Sequence, residues 1–294
     1  MPIHINNNEK KRIFYKPKNV KLNIQEEDDI AIMDISTLEV VDNKSGIKLY
    51  NHDGVPMFIL IPRDDSLIFL KNNKFKIIKA IENMRKHKGN CKRGKNRTGR
   101  QIYDKTKYTT IGPTACRNNH GFITSFPKKD KNKHDWNTLH KLINFIEDKC
   151  EKYLPRDILK GISQVKDKFN YPRFPIIKDS QYQSNNCYQQ TKIYTSLALA
   201  RDYYSAAHID EDFFLSAMIS LNDDDKEIKF DGQIITHFCF PECGYAVALR
   251  DGDCLIFNPK ILHCCAHQET LDNGSVLCSS VYLKSNIIGG NDNR

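Results

Sequence analysis

Apolar residues follow a helical period in three segments of the first two thirds of the chain. In residues 75–84, residues 136–153 and the segment after Pro155 they recur every three or four positions. This spacing places them along one face of an α-helix. We therefore predict three amphipathic helices that act as scaffold and cover one face of a sheet.

The segment after residue 194 has a different pattern. Short alternating or wholly apolar runs are separated by Asp, Gly, Asn and Pro, which predicts six strands. The runs are KIYTSLALA, FFLSAMISL, QIITHFCF, YAVAL, DCLIFN and VLCSSVYLK. Many short strands of this kind favour an antiparallel barrel or a double-sheet jelly roll. Three further strand-like runs, AIMDIS, GIKLY and PMFILI, lie between residues 30 and 61.

These elements predict an α+β chain in three parts. Residues 1–28 are rich in Asn, Lys and Glu and have little apolar pattern, so we expect a poorly ordered arm. Residues 29–175 would form an N-terminal α/β extension and residues 176–294 a β-rich core. No apolar run reaches the length of a membrane-spanning helix, and the start lacks a signal-peptide core. We expect an intracellular, soluble protein with no membrane partner.

The formal net charge of +9 arises in one segment. Residues 85–107 hold ten basic residues and one acid, and their glycines and asparagines favour a loop. A flexible basic loop can neutralise phosphates, which indicates a nucleic-acid backbone clamp. A solvated surface loop and a localisation signal are the alternatives, and the latter would make a eukaryotic protein nuclear. The clamp residues would be Arg93, Lys95, Arg97 and Arg100.

The ten cysteines occur singly or as the pair Cys264–Cys265. They lack the spacings of a disulfide or zinc framework, so we expect reduced and mostly buried thiols. A structural zinc site is the weaker alternative. Its ligands would be Cys239, Cys243, Cys254 and His237.

The segment SAAHIDED places His208 and Asp210 two residues apart. In extended backbone, side chains at this spacing point to the same face and can share one ion. His263 lies 55 residues after His208 and closes the run GDCLIFNPKILH. Two histidines and one carboxylate are the ligand set of non-haem iron(II) oxygenases, in which the other positions are left open. We therefore predict that these three residues bind iron and form the catalytic centre.

Each of the three residues also has a structural alternative. His208 could be a buried, hydrogen-bonded histidine, Asp210 could belong to an acidic turn, and His263 could pack beside Cys264. His267 competes for the place of the second histidine but falls four residues past the strand-like run. The three alternatives together leave the common spacing unexplained.

Residues 194–284 resemble the iron(II)- and 2-oxoglutarate-dependent dioxygenase superfamily. The phrases YSAAHID, FPECGYAVALRDGDCLIFNPKILH and SVYLK are similar in particular to the TET and JBP group, which oxidises the 5-methyl group of pyrimidines. The resemblance implies a double-stranded β-helix (jelly-roll) core supported by N-terminal helices. It also implies Fe(II), 2-oxoglutarate and O2 as cofactors, and a nucleic-acid partner, with DNA favoured over RNA.

One departure from the family concerns the co-substrate. The superfamily normally anchors the far carboxylate of 2-oxoglutarate with a basic residue on the strand after the distal histidine, whereas residues 273–278 read NGSVLC. Alternation places Ser280, Tyr282 and Lys284 on one face, so Lys284 could supply the charge. Arg201 on a neighbouring strand is a second candidate. A third possibility is ascorbate as co-substrate, as in one branch of TET-like enzymes.

A substrate base would have to leave its stack and be held by aromatic and polar side chains. The candidates are Tyr203, Tyr204, Phe213 and Asn222. The leading hypothesis is thus an iron(II) dioxygenase that oxidises a nucleic-acid base, such as 5-methylcytosine or thymine. One alternative keeps the iron chemistry but acts on a protein side chain or small molecule. The other is a non-catalytic, nucleic-acid-binding jelly roll.

Overall fold

The computed structural model describes most of the chain, with gaps. The described residues are 12–14, 24–27, 30–33, 35–42, 47–50, 54–88, 107–115, 122–124, 133–168, 191–203, 205, 207–224, 227–266 and 274–284. Of the segment predicted to be a poorly ordered arm, residues 12–14 and 24–27 are therefore described, and both are strands.

The larger of two main sheets has eight strands. They are β1 (Arg12–Phe14), β5 (Ile47–Tyr50), β6 (Pro56–Leu60), β7 (Lys107–Ile111), β10 (Ser196–Arg201), β11 (Phe213–Asn222), β14 (Cys254–Phe257) and β16 (Val276–Leu283). Their order across the sheet is β1-β5-β6-β14-β11-β16-β10-β7. All pairs are antiparallel except β1 with β5.

The smaller sheet has four strands. They are β4 (Glu39–Asp42), β12 (Ile234–Phe240), β13 (Tyr245–Arg250) and β15 (Cys264–Cys265), in the order β15-β12-β13-β4. Two separate two-stranded sheets pair β2 (Ile24–Glu27) with β3 (Ile30–Met33) and β8 (Pro113–Ala115) with β9 (Phe122–Thr124). All six strands predicted after residue 194 are present.

In the described part of the chain, four α-helices pack on one face of the larger sheet. They are α1 (Arg63–Lys71), α2 (Lys74–Lys88), α3 (Lys133–Tyr153) and α4 (Arg156–Lys168). Ile81 and Leu142 on the helices join Leu199 and Ile219 on the strands in one buried cluster. The three predicted helices are confirmed, and α1 was not predicted. Among the described helices, none is both long and apolar enough to cross a membrane.

A second apolar core lies between the two main sheets. Phe58, Met218 and Leu255 of the larger sheet meet Phe238 and Phe240 of the smaller sheet in this core. The rings of Phe58 and Phe240 stack with centroids 5.3 Å apart. The larger sheet is therefore buried on both faces, with helices on one side and the smaller sheet on the other. This is the predicted α+β, double-sheet arrangement.

Strands from before residue 176 complete both main sheets. Leu60 of β6 pairs with Leu255 of β14, and Ile111 of β7 pairs with Leu197 of β10. Strand β4 runs parallel to β13 in the smaller sheet. Both main sheets therefore contain strands from both sides of residue 175.

A fully buried ion pair joins α1 to the turn before β14. The guanidinium of Arg63 donates to Asp253 and to the carbonyls of Lys229 and Asp251. Neither side chain of the pair is exposed to solvent. Burial raises the pKa of Asp253 to about 6, although the charge of Arg63 and the backbone N–H of Arg250 act to lower it. The ion pair thus fixes the turn from which β14 begins.

Two carboxylates fasten α3 to its neighbours. Glu147 accepts three hydrogen bonds from the backbone N–H groups of residues 192–194, just before β10. Burial raises its pKa despite those bonds. Asp65 of α1 accepts hydrogen bonds from Lys152 and Tyr153. Burial alone would raise the pKa of Asp65, but these donors and the nearby lysine charges lower it to about 2.

Candidate metal centre and adjoining cavity

Two extended chain segments bring the predicted triad together. His208 and His263 form an antiparallel bridge in which the N–H of each donates to the carbonyl of the other, at 2.9 and 3.0 Å. The N–H of Asp210 donates to the carbonyl of Pro259 at 2.9 Å. Ser205 and residues 207–210 therefore run along residues 259–265, which places all three side chains at one point.

The donor atoms of the triad converge. Asp210 Oδ1 lies 3.8 Å from His208 Nε2, and Asp210 Oδ2 lies 3.5 Å from His263 Nε2. One donor atom from each residue lies within 4.8 Å of the other two. Two imidazoles and a carboxylate suit iron(II) and other divalent transition metals. The residues present therefore fit a bound metal ion.

The ring of His263 is held in one orientation. Its Nδ1 lies 2.8 Å from the carbonyl oxygen of Ile261. Because a carbonyl can only accept, Nδ1 carries a proton, which leaves Nε2, the nitrogen that faces Asp210, as the ring atom able to bind a metal ion. The ring stacks on Phe238 with centroids 5.4 Å apart and meets Phe257 at an angle, at 5.2 Å. His263 is thus a buried and oriented donor.

A cavity of about 270 Å³ adjoins the triad between the two sheets. Its apolar walls include Met218, Phe238 and Phe257. Six hydroxyl-bearing side chains also line it, namely Thr110, Tyr203, Ser205, Ser216, Ser280 and Tyr282. Of the lining residues that the structure describes, none is a lysine or an arginine.

Asp212 is a second carboxylate in the cavity lining. Burial raises its pKa to about 7, and the charge of Asp210 adds to the rise. The positive charges of Lys284 and Lys260 act in the opposite direction. Two lysines therefore lie near Asp212 but do not belong to the described lining of the cavity.

Three of the predicted ligand-binding residues line the cavity: Tyr203, Ser280 and Tyr282. Lys284 follows β16, and its backbone N–H lies 3.5 Å from Thr195 Oγ1. Its side chain is half-buried and is not part of the cavity lining described above. The anchoring role of Lys284 remains a prediction.

Arg201 does not lie where a co-substrate anchor is needed. Alternation along β10 turns Ala198 and Ala200 towards the cavity, so Arg201 lies on the opposite, helix-facing side. Its guanidinium bonds Glu82 at 3.0 Å and also contacts Asp223. The prediction that Arg201 contacts the co-substrate is therefore not supported.

Two of the predicted base-contacting residues also lie elsewhere. Phe213 packs against the helix-side core. Asn222 lies at the far end of β11, where its backbone N–H donates to Asp251 and its side-chain oxygen accepts from Asp224. Five other predicted residues lie outside the described part of the chain. They are Tyr204, Arg93, Lys95, Arg97 and Arg100.

The weaker zinc alternative has no geometric support among the described residues. There, the triad is the one group of three or more His, Cys, Asp or Glu side chains close enough to share an ion. Cys239 lies opposite Cys264 in the smaller sheet, whereas Cys254 belongs to the helix-side core. All described cysteines are free and buried, as expected.

Several cavity residues were missed from the sequence. Ser216 stands in the apolar run FFLSAMISL, where a serine among buried positions was an available signal. Phe257 belongs to the predicted run DCLIFN, but the sequence does not tell on which face of the sheet its side chain lies, because that depends on the smaller sheet packed against it. Thr110 precedes the predicted core domain and offered no signal. These residues enter the site only through long-range strand pairing.

No protein-family model matches the chain, and neither does any curated protein. Among solved structures, the chain is similar to NgTET1 in complex with 5mC DNA, with a TM-score of 0.51 and 12% identity over 86% of this chain and 84% of that chain. An oxidoreductase of the 2OG-Fe(II) oxygenase family from Burkholderia pseudomallei aligns with a TM-score of 0.30, 12% identity and coverages of 62% and 69%. JOX2 in complex with 2OG, Fe and JA aligns with a TM-score of 0.34 and 10% identity over 90% of this chain and 82% of that chain. The first of these shows a shared fold, and the predicted α+β jelly roll is confirmed.

Proposed function

We propose that the chain is a non-haem iron(II) dioxygenase whose iron is held by His208, Asp210 and His263. The observation that carries the proposal is the convergence of two imidazoles and one carboxylate beside a cavity between the two sheets. The likeness in fold to NgTET1 supports it. When iron(II) is bound, such a site gains the capacity to activate dioxygen and oxidise a C–H bond.

The protein's own residues prepare the site in three ways. The carbonyl of Ile261 keeps Nε2 of His263 available as a donor. Asp210 supplies a negative charge to a divalent cation and is the most exposed of the three ligands, with 38% of its side chain accessible. Phe238 and Phe257 form apolar walls that exclude water from the reacting centre.

The proposed substrate is a base of nucleic acid, with DNA favoured over RNA and the 5-methyl group of a pyrimidine as the target. NgTET1, which has the same fold, was solved with 5mC DNA. The chain enters the basic segment at the end of α2 and leaves it at β7, whose Thr110 lines the cavity. The segment with the excess positive charge therefore leads into a strand that borders the candidate centre. Phosphate contacts from such a segment would position a substrate without choosing its sequence.

The proposed co-substrate is 2-oxoglutarate, with ascorbate as the alternative. The superfamily resemblance supports 2-oxoglutarate. The hydroxyl-rich cavity wall can donate hydrogen bonds to an oxygen-rich acid. Ascorbate is kept because the described part of the lining holds no basic side chain.

The direct test is mass spectrometry of nucleosides from methylated DNA or RNA incubated with the protein, iron(II) and either co-substrate. We expect oxidised 5-methylpyrimidine, and its loss in His208→Ala together with the loss of iron binding under anaerobic conditions. His237→Ala is the matched control, because His237 is a half-buried histidine of β12 outside the triad. It should retain both properties.

The alternatives predict other outcomes. Iron binding and co-substrate turnover without any stimulation by nucleic acid would favour a protein side chain or small molecule as substrate. Nucleic-acid binding that survives His208→Ala, with no iron bound by the wild type, would indicate a non-catalytic binding module. The proposed clamp requires that joint replacement of Arg93, Arg97 and Arg100 by Glu weakens nucleic-acid binding and reduces its salt dependence.

A further inference from the structure

Ser216 is a buried hydroxyl without a hydrogen-bond partner. It stands in the middle of β11 with 2% of its surface exposed, and its Oγ makes no hydrogen bond. The same side chain lines the cavity beside the triad. Buried polar groups in native proteins are almost always hydrogen-bonded, and an unpaired one is costly. A polar group of a ligand in the cavity would satisfy it.

The position of Ser216 relates this hydroxyl to the triad. In the larger sheet Ser216 lies opposite Phe257, whose ring is 5.2 Å from that of His263. A ligand that reaches from the triad along Phe257 therefore meets Ser216. The cavity of about 270 Å³ has room for a small organic acid in this position.

Two more hydroxyls line the same wall. Ser280 and Tyr282 lie on the cavity face of β16, which pairs with β11. The Ser280 hydroxyl donates a long hydrogen bond of 3.4 Å to the carbonyl of Ala217, and a carboxylate at shorter range would compete for the same proton. Arg201 of the neighbouring β10 faces the helices instead, and Lys284, which follows β16, is not part of the described lining.

We propose that Ser216, together with Ser280 and Tyr282, binds the remote carboxylate of a 2-oxo dicarboxylic acid whose other end meets the metal. The inference rests on the proposed function and deepens it, because it names the residues that select the co-substrate. Hydroxyl groups donate short, charge-assisted hydrogen bonds to carboxylate oxygens. The described lining of the cavity supplies these hydroxyl groups and no basic side chain.

The chain offers a closely matched control in Ser279. This residue has 1% of its surface exposed and an Oγ without a hydrogen-bond partner, as Ser216 does. It lies on β16 between cavity-facing Cys278 and Ser280, so its side chain points to the helix-facing side. Ser216→Ala and Ser279→Ala each remove one unpartnered buried hydroxyl, so neither is expected to lower the stability of the ligand-free protein.

The experiment is isothermal titration of the full chain loaded with Mn(II). Two ligands are compared: 2-oxoglutarate, and 2-oxopentanoate, which has the same chain length and 2-oxo acid end but no remote carboxylate. We expect Ser216→Ala to weaken 2-oxoglutarate binding about tenfold. Its affinities for 2-oxopentanoate and Mn(II) should be unchanged. Ser279→Ala should match the wild type with both acids.

Three results would overturn the inference while leaving the iron site intact. First, Ser216→Ala and the wild type could bind 2-oxoglutarate with equal affinity. Second, Ser216→Ala could lose affinity for 2-oxoglutarate and for 2-oxopentanoate by the same factor. Third, the wild type could bind the two acids with equal affinity. If the Mn(II)-loaded wild type binds neither acid, the inference fails together with 2-oxoglutarate as co-substrate. If the wild type binds no Mn(II) or iron(II), the proposed metal centre itself fails.

Discussion

Replacing Arg63 with methionine would remove one partner of the buried ion pair between α1 and the turn before β14. Asp253 would remain, fully buried, and the carbonyls of Lys229 and Asp251 would lose a donor. Removing one member of a buried pair leaves an uncompensated charge, which costs about 3–5 kcal/mol. We expect a loss of this size in the free energy of unfolding near neutral pH.

The loss should depend on pH because the pKa of Asp253 is already raised to about 6. An unfolded aspartate has a pKa of about 3.9, so between these values the folded state holds a proton that the unfolded state has released. The stability contribution of Asp253 therefore falls as pH rises through this window. Without Arg63 the pKa of Asp253 rises further, so the free energy of unfolding goes on falling to higher pH. Each unit by which the pKa rises adds about 1.4 kcal/mol to this loss. The deficit of the variant should be larger at pH 8 than at pH 5.

Urea unfolding followed by circular dichroism at both pH values measures this difference. Arg156→Met is the control, because Arg156 is an exposed arginine at the start of α4. A surface change of this kind should stay within about 0.5 kcal/mol of the wild type. A deficit below about 1 kcal/mol for Arg63→Met, or the same deficit at both pH values, would refute the reasoning, since an uncompensated buried charge requires both effects.

Three further predictions concern stability and are measured by urea unfolding. Gly112→Ala should lower the free energy of unfolding by roughly 2 kcal/mol or more, because φ is +134° and a Cβ would lie 2.7 Å from the Thr195 carbonyl oxygen. Gly54→Ala is the control: it has open space around it and should lower the free energy of unfolding by about 1 kcal/mol. Asp65→Asn should remove the loss of stability that the wild type shows as pH falls from about 4 towards 2, because the lowered pKa of Asp65 stabilises the fold only while its carboxylate is ionised. Glu147→Ala should cost about 3 kcal/mol, because three backbone N–H groups lose their acceptor, and a change below 1 kcal/mol would contradict that role.

The sequence predicted elements best where side chains alternate or recur with one clear period. The six strands after residue 194 and helices α2, α3 and α4 follow such patterns. Helix α1 was missed because its four consecutive apolar residues, 67–70, hide the helical period. Strand β15 has only two residues, too few for any pattern.

The candidate site was predicted as far as local spacing reaches. His208 and Asp210 share a face because they stand two residues apart in extended backbone. The bridge between His208 and His263 is a long-range contact that spacing suggests but does not determine. Arg201 was misplaced because alternation gives two faces without saying which one borders the cavity. That choice depends on the helices and on the smaller sheet.

The pairing of β6 with β14 has a consequence for the order in which the protein can fold. Leu60 and Leu255 are partners although about 195 residues separate them along the chain. During synthesis β6 is completed long before β14, so Phe58 and the free strand edge lack their cover until most of the chain exists. Sheets built from such distant pairs fold slowly and expose apolar surface meanwhile. The cavity, whose walls extend from Thr110 to Tyr282, can take shape only late in synthesis.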